Sequence, residues 1–221
     1  MNVSKRIILD SAKAVDQLFD LVWDKVAARR TARVLLFGRQ AGGLTMIARR
    51  LAAIVPPPSV KEKRVLRDIY SSAGLLREDQ DTVRIPFRAP HHTVSVAGLV
   101  GMCRGRNGQM TMRPGEVSLA HGGTLFLDEI DEFGGQPLDY LWHALRDGYV
   151  SCGGGEKIKA RPKLVIGAVH LDSIFYKSDS DRVMRLVERA FERTSDFGWL
   201  DLAAEGWTVE GTRREPIRAN H

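Results

Sequence analysis

Arg33-Val-Leu-Leu-Phe-Gly38-Arg-Gln-Ala-Gly-Gly43-Leu44-Thr45 is the run on which this chain turns. A short apolar segment feeds a glycine loop, and the loop opens into the helical pattern of Met46 to Ile54. The spacing is that of a phosphate-binding loop: glycine, four residues, glycine, then a hydroxyl residue two places on. Leu44 stands where such loops carry lysine. Backbone N–H groups in a glycine-rich turn entering a helix attract phosphate without side-chain charge, and the Thr45 hydroxyl can face Mg²⁺. Gly38, Gly42, Gly43 and Thr45 are therefore the candidate nucleotide-binding residues. The missing lysine removes a charge-assisted contact worth roughly 1.5–3 kcal/mol. Weakened binding and still weaker turnover are expected. Arg39 lies in the same loop, at a position that faces outward in loops of this kind.

Outward from the loop, Val34 to Phe37 has nothing polar on either face, the pattern of a parallel strand covered by helices on both sides. Upstream, Val15, Leu18, Phe19, Val22, Trp23 and Val26 recur at three- and four-residue steps. They predict an amphipathic helix over 10–29, with Lys13, Asp16, Asp20 and Asp24 toward water. Downstream, the helix after the loop should stop at Val55-Pro56-Pro57-Pro58. Ser59 and Glu62 form a capping box for a further helix ending at Gly74. Residues 75–80 read as loop. Gly101 to Arg113, with Arg104, Arg106 and Arg113, reads as an exposed hairpin or loop.

Thr124-Leu-Phe-Leu127 is a second buried-strand pattern, expected to neighbour the first, and it ends in Asp128-Glu129. Ligands of open α/β sheets bind at that carboxyl edge. In a nucleotide site Asp128 would hold Mg²⁺ through water, and Glu129 would orient or deprotonate the attacking water. Pro137, Leu138, Leu141, Trp142 and Leu145, closed by Gly148, predict another helix. Tyr149 to Ala160, broken by Gly153-Gly154-Gly155, suits a hairpin. Leu164 to Val169 is a third apolar strand, and 181–193 suits a helix. His170, just past the third strand, either reaches toward a γ-phosphate or stands as a plain loop histidine. Arg193 is either an arginine finger for a neighbouring subunit's nucleotide or a solvated helix-end residue. His91 and His92 are adjacent, point differently from an extended backbone and make a poor shared metal site.

The 221 residues are 43% hydrophobic, enough for one generous domain with a real core. Net charge is +6 and the pI about 9.5, which admits nucleotide, nucleic acid or an acidic subunit as partner. Two cysteines, Cys103 and Cys152, are too few for a disulfide scaffold and favour a reducing compartment. The opening residues lack a leader pattern, and no apolar run of about 18 residues occurs. A cytoplasmic protein without membrane contact is expected.

Ordered runs extend this picture: Asp68-Ile-Tyr-Ser-Ser-Ala-Gly-Leu-Leu76, Pro86-Phe-Arg-Ala-Pro-His-His-Thr93, Leu99-Val-Gly101, and Arg113-Pro-Gly-Glu-Val-Ser-Leu-Ala-His121 continuing through Glu129. Over about Arg33 to Arg193 the chain resembles the AAA+ ATPase subunit of magnesium chelatase and the competence-linked magnesium-chelatase-like proteins. The resemblance implies an α/β fold: an AAA+ P-loop three-layer α/β/α core with a mainly parallel sheet. It also implies a ring or similar assembly with AAA+ relatives, homo- or hetero-oligomeric, and ATP or ADP with Mg²⁺ at subunit junctions. Gly38, Gly43 and Thr45 match the phosphate loop, Asp128 and Glu129 the Walker B pair, and Arg193 loosely the finger. The departures are Leu44 for lysine, His170 for a sensor asparagine and Arg39-Gln40-Ala41 for Pro-Pro-Gly; the helical lid is expected to be missing or truncated. Hydrolysis is what these changes put in doubt. The expected layout is a flanking helix over 1–30, the core over 31–198 and a tail over 199–221. Two other readings stand beside an ATP-binding module: a pseudo-ATPase partner of an active relative, and nucleic-acid binding through Arg104, Arg106, Arg113 and the basic tail.

Overall fold

The computed structural model of the protein describes residues 12–38, 43–76, 84–106, 109–151 and 156–170. Its elements, in chain order, are α1 (Ala12–Ala27), β1 (Ala32–Gly38), α2 (Leu44–Ala53), α3 (Val60–Ser72), β2 (Phe87–Arg88), α4 (Val96–Leu99), β3 (Gly101–Arg106), β4 (Gln109–Pro114), α5 (Glu116–Leu119), β5 (Thr124–Leu127), a 3₁₀ turn (Ile130–Glu132), α6 (Gly135–Asp147), β6 (Tyr149–Ser151), β7 (Lys157–Lys159) and β8 (Leu164–His170).

The apolar runs behave as uniformly buried strands must. They make a sheet in the order β1-β8-β5-β2, with every pairing parallel. Side chains alternate between its two faces. Val34, Leu36, Phe126, Leu164, Ile166 and Ala168 meet Leu18 and Val22 of α1 and Leu44, Ala48 and Leu51 of α2. Leu35, Leu125, Leu127, Val165 and Val169 meet Leu138 and Leu141 of α6, with Leu99 and Val117 from α4 and α5. Each such leucine contributes about 1.5–3 kcal/mol by leaving water. The result is the three-layer α/β/α arrangement, with the sheet as its middle layer.

One expectation about order fails. β5 does not neighbour β1, because β8 lies between them. Hydrophobic pattern marks a strand as buried on both faces but carries no information on which strand lies beside it. β8 has six consecutive buried residues, and the centre is where such a strand loses most water. The short β2, two residues long, and the single-turn helices α4 and α5 were not anticipated. They are too brief to show a period.

The helices hold closer to expectation. α1 buries Leu18, Val22 and Val26, and Asp16, Asp20 and Asp24 are exposed, although Trp23 is about half exposed rather than inward. α2 ends ahead of the three prolines. The capping box of α3 is complete: Glu62 N–H donates to the Ser59 hydroxyl at 3.3 Å and Ser59 N–H to the Glu62 carboxylate at 2.7 Å. Burial works against the Glu62 carboxylate, but the Ser59 bonds and Lys163 overcome it and hold its pKa below the ordinary value. α6 closes at Gly148 with φ 75°. β3 with β4 and β6 with β7 form the two antiparallel hairpins.

Cys103, on β3, is disulfide-bonded. Two cysteines read as a sign of a reducing compartment did not predict that bond. Among the described residues no helix is long and apolar enough to cross a membrane. Arg39, Gly42, the expected 181–193 helix, Arg193 and the expected tail lie outside the described residues, as does the stretch that bears on the lid.

Candidate functional site

Because β1, β8 and β5 run parallel, their carboxyl ends emerge together. Gly38 is in register with His170, and Leu127, the residue before Asp128, with Gly167. The glycine loop, His170 and the acidic pair therefore share one edge, where open α/β sheets place ligands.

On the loop side, Gly43 caps α2 in the left-handed conformation, φ 71° and ψ 22°. A side chain there would be strained, so glycine is required where the chain enters the helix. Its carbonyl accepts from Ile47 N–H at 3.0 Å, which starts the helical ladder. The first turn of α2 carries no acidic residue of its own to offset the positive end of the helix dipole. Thr45 is exposed in that turn. Leu44 is not. It is 5% exposed and belongs to the apolar cluster of Leu18, Val22, Ala48 and Leu51. The position that carries a cation in other phosphate loops here points into the core.

On the acidic side, each carboxylate bonds an imidazole. His170 Nε2 donates to Asp128 Oδ1 at 2.7 Å, and His92 Nδ1 donates to Glu129 Oε2 at 2.7 Å. His170 sits on an inner strand and is directed to Asp128; its Nδ1 is buried without a hydrogen bond among the described residues. Glu129 has φ 52° and ψ 49°, a left-handed backbone rare for a residue with a long side chain. This turn swings the chain into the 3₁₀ segment. Burial raises the pKa of Asp131 in that segment, with the charges of Glu132 and Glu129 adding to the effect and His170 opposing it.

His92 reaches Glu129 through a chain of specific contacts. Gly123 passes so close to Pro86 that an added Cβ would lie 2.2 Å from the Pro86 carbonyl oxygen. That approach lets Thr124 N–H donate to the same carbonyl at 2.8 Å and pairs β2 with β5. Arg88 then forms a bidentate pair with Glu116, both bonds 2.6 Å. Tyr70 donates to the Leu119 carbonyl at 3.1 Å and pins the same corner. A turn closed by Val94 N–H to the His91 carbonyl, 2.9 Å, presents His92, whose ring packs on His91 with centroids 4.1 Å apart. The spacing argument treated His92 only as a metal ligand and missed this role. Finding it required knowing that β2 lies beside β5.

At the other end of β5, His121 is 7% exposed and its Nδ1 accepts from Arg161 N–H at 3.2 Å. Burial, with Lys159, Arg161 and Lys163 nearby and Glu62 opposing, lowers its pKa to about 4. It is a neutral, structural imidazole.

The arrangement fits a nucleotide's phosphates in one respect and not in another. The left-handed Gly43 and the open first turn of α2 offer backbone N–H groups, but no side-chain cation comes from position 44. For Mg²⁺, the exposed Thr45 hydroxyl and Asp128, about 40% exposed and with one oxygen not committed to His170, supply the hard oxygen ligands it prefers. Among the described residues no group of three or more His, Cys, Asp or Glu is placed to hold a metal. A bound Mg²⁺ would thus depend on phosphate oxygens.

The family model described as "Magnesium chelatase, subunit ChlI" matches residues 21–165. The chain belongs to this family. The chain is 42% identical over 127 residues to the Mycobacterium tuberculosis protein Rv2897c, a stretch covering 57% of this chain and 24% of that protein. It is 33% identical over 150 residues to the competence protein ComM of Haemophilus influenzae, covering 68% and 28%. The chain therefore spans about a quarter of the length of these relatives. Among solved structures, NtrX from Brucella abortus in complex with ATP superposes over 92% of this chain and 38% of its own, with TM-score 0.45 and 16% identity. A full-length MCM homolog from Methanopyrus kandleri gives TM-score 0.44 and 15% identity over 72% and 28%.

Proposed function

We propose that this ChlI-family chain is an AAA+ nucleotide-binding module that binds ATP or ADP weakly, hydrolyses ATP slowly or not at all, and acts within a ring or complex. The observation that carries the reading is the burial of Leu44 directly after Gly43, whose left-handed backbone opens α2. Gly38, Gly42, Gly43 and Thr45 would cradle phosphate through N–H groups and a hydroxyl. Thr45 and Asp128 would hold Mg²⁺, which supplies charge neutralisation at the phosphates when bound. Glu129 would act on the attacking water, and His170 would keep Asp128 oriented. Arg193 would serve a neighbouring subunit.

Titration with labelled ATP, alongside a phosphate-release assay, tests the reading. Weak saturable binding with slow release is the expected outcome, and brisk turnover would overturn it. Leu44→Lys should tighten binding by about ten- to a hundredfold, the worth of one charge-assisted contact of roughly 1.5–3 kcal/mol. It should also lower stability, because the new ammonium must leave the core to reach phosphate.

The same buried leucine favours a second reading, a pseudo-ATPase that supports an active AAA+ relative. Native mass measurement with and without such a relative separates the two, since assembly only in mixture favours the supporting role.

A further inference from the structure

We infer that the amino edge of the parallel sheet, opposite the glycine loop, is a docking surface for a partner-protein segment in which carboxylates are interspersed with apolar side chains. The inference is independent of nucleotide binding. Ala32 of β1 and Thr124 of β5 are both in register with Leu164 of β8, and Phe87 of β2 is in register with Thr124. The four strands therefore begin along one line about 14 Å long, three strand spacings. The segments that enter them are bonded to one another. Gly122 N–H donates to the Arg161 carbonyl, Lys163 N–H to the Gly123 carbonyl and Ala32 N–H to the Lys163 carbonyl, each at 2.9 Å. The Thr31 hydroxyl donates to the Pro162 carbonyl at 3.0 Å. Pro58 lies 3.9 Å from where a Cβ on Gly122 would stand, and Pro86 closes on Gly123.

Charge along this edge is almost all of one sign. Residues 29–31, 56–63, 84–86, 121–123 and 159–163 hold eight Lys or Arg and one carboxylate, Glu62, which Ser59 and Lys163 already engage. Arg29, Arg30, Lys61, Arg84 and Lys159 are exposed. Arg29 has φ 56°, so the turn between α1 and β1 keeps a cation where glycine would be the easier residue. Exposed apolar side chains share the edge. Val60, two residues from Pro58, is 71% exposed, and Ile85, next to Pro86, is 39% exposed. Cations beside exposed aliphatic groups match a protein interface, which joins an apolar centre to a polar rim. Opposite charge on the partner would speed encounter and fix its orientation. A phosphate backbone would use the cations and leave both aliphatic side chains in water.

The test uses the full chain and three labelled probes: a peptide of Glu and Asp interspersed with Leu and Val, the same peptide with Ser for the aliphatics, and a single-stranded oligonucleotide of matched charge. The mixed peptide should bind saturably, about tenfold more tightly than the serine peptide, and more weakly as salt rises. Arg30→Glu/Arg84→Glu should weaken that binding about tenfold, and the neutral Arg30→Gln/Arg84→Gln less. Val60→Ser/Ile85→Ser should weaken it about tenfold with its salt dependence unchanged. Arg104→Glu/Arg106→Glu, on the separate β3–β4 hairpin, should leave it unaltered, and urea midpoints check that each variant folds. Lack of saturable binding by the mixed peptide, or equal weakening by the hairpin pair, overturns the inference. So does an oligonucleotide that binds more tightly than the mixed peptide and is lost with Arg30→Glu/Arg84→Glu, which makes the edge a nucleic-acid surface. Self-association of the parent in native mass measurements, abolished by the same pair, also overturns it by making the occupant a second copy.

Discussion

Leu44 at the head of α2 and Glu129 past the end of β5 belong to one sheet edge, yet the chain treats the two regions in opposite ways. On the loop side the expected cation is gone and its position has been drawn into the apolar cluster under β1. On the acidic side both carboxylates remain, and each is matched with an imidazole 2.7 Å away. The first region buries an apolar side chain where the spacing leads one to expect a cation; the second keeps two carboxylates in hydrogen bonds to imidazoles. The difference teaches that a residue at a changed motif position can serve the packing of the domain. A buried leucine stabilises the domain whether or not a nucleotide is present.

The largest expected effect bears directly on that contrast. Leu44→Ala should lose about 2–5 kcal/mol in urea unfolding, the usual range for truncating a buried leucine. A loss near zero would break the comparison by showing that the loop side is not core. Next comes pH, which reads the buried imidazole at the other end of β5. The pKa of His121 falls from 6.5 to about 4 on folding, so the unfolded chain binds the extra proton between those values. Its contribution is fully present above pH 6.5 and is lost as pH falls toward 4, about 3 kcal/mol in all. His121→Asn should flatten that part of the stability profile, as followed by urea midpoints at several pH values; an unaltered profile would assign the loss to carboxylates instead.

A smaller effect is expected from Arg88→Ala, which opens the bidentate pair that fixes β2. The pair is about a fifth to a third exposed, so about 1–2 kcal/mol is expected in thermal or urea unfolding. Smallest is His170→Ala, about 1 kcal/mol or less, because Asp128 is 40% exposed and water can replace the imidazole. If that substitution cost as much as Leu44→Ala, the acidic side would be a structural core like the loop side, and the contrast would collapse.

Much of the fold was legible because its signals are local. The Ser59–Glu62 box, the closing Gly148 and the apolar runs at β1, β5 and β8 each reflect hydrogen bonding, backbone freedom or burial within a few residues. The candidate residues Gly43, Thr45, Asp128 and Glu129 were singled out in the same way, through spacing. The partners of the two carboxylates were not. His92 is 37 residues from Glu129 and His170 is 42 from Asp128, and strand order alone brings them together.

By itself the sequence determined that buried parallel strands would alternate with amphipathic helices, and that a glycine turn would precede a helix lacking its usual lysine. Periodicity and turn chemistry act over a few residues, so a linear chain can express them. Only the tertiary structure decided that β8 would lie between β1 and β5, that Leu44 would be buried, and that the acidic pair would divide between two histidines. Those outcomes depend on which surfaces lose water together and which polar groups then meet across the sheet, a property of the packed whole.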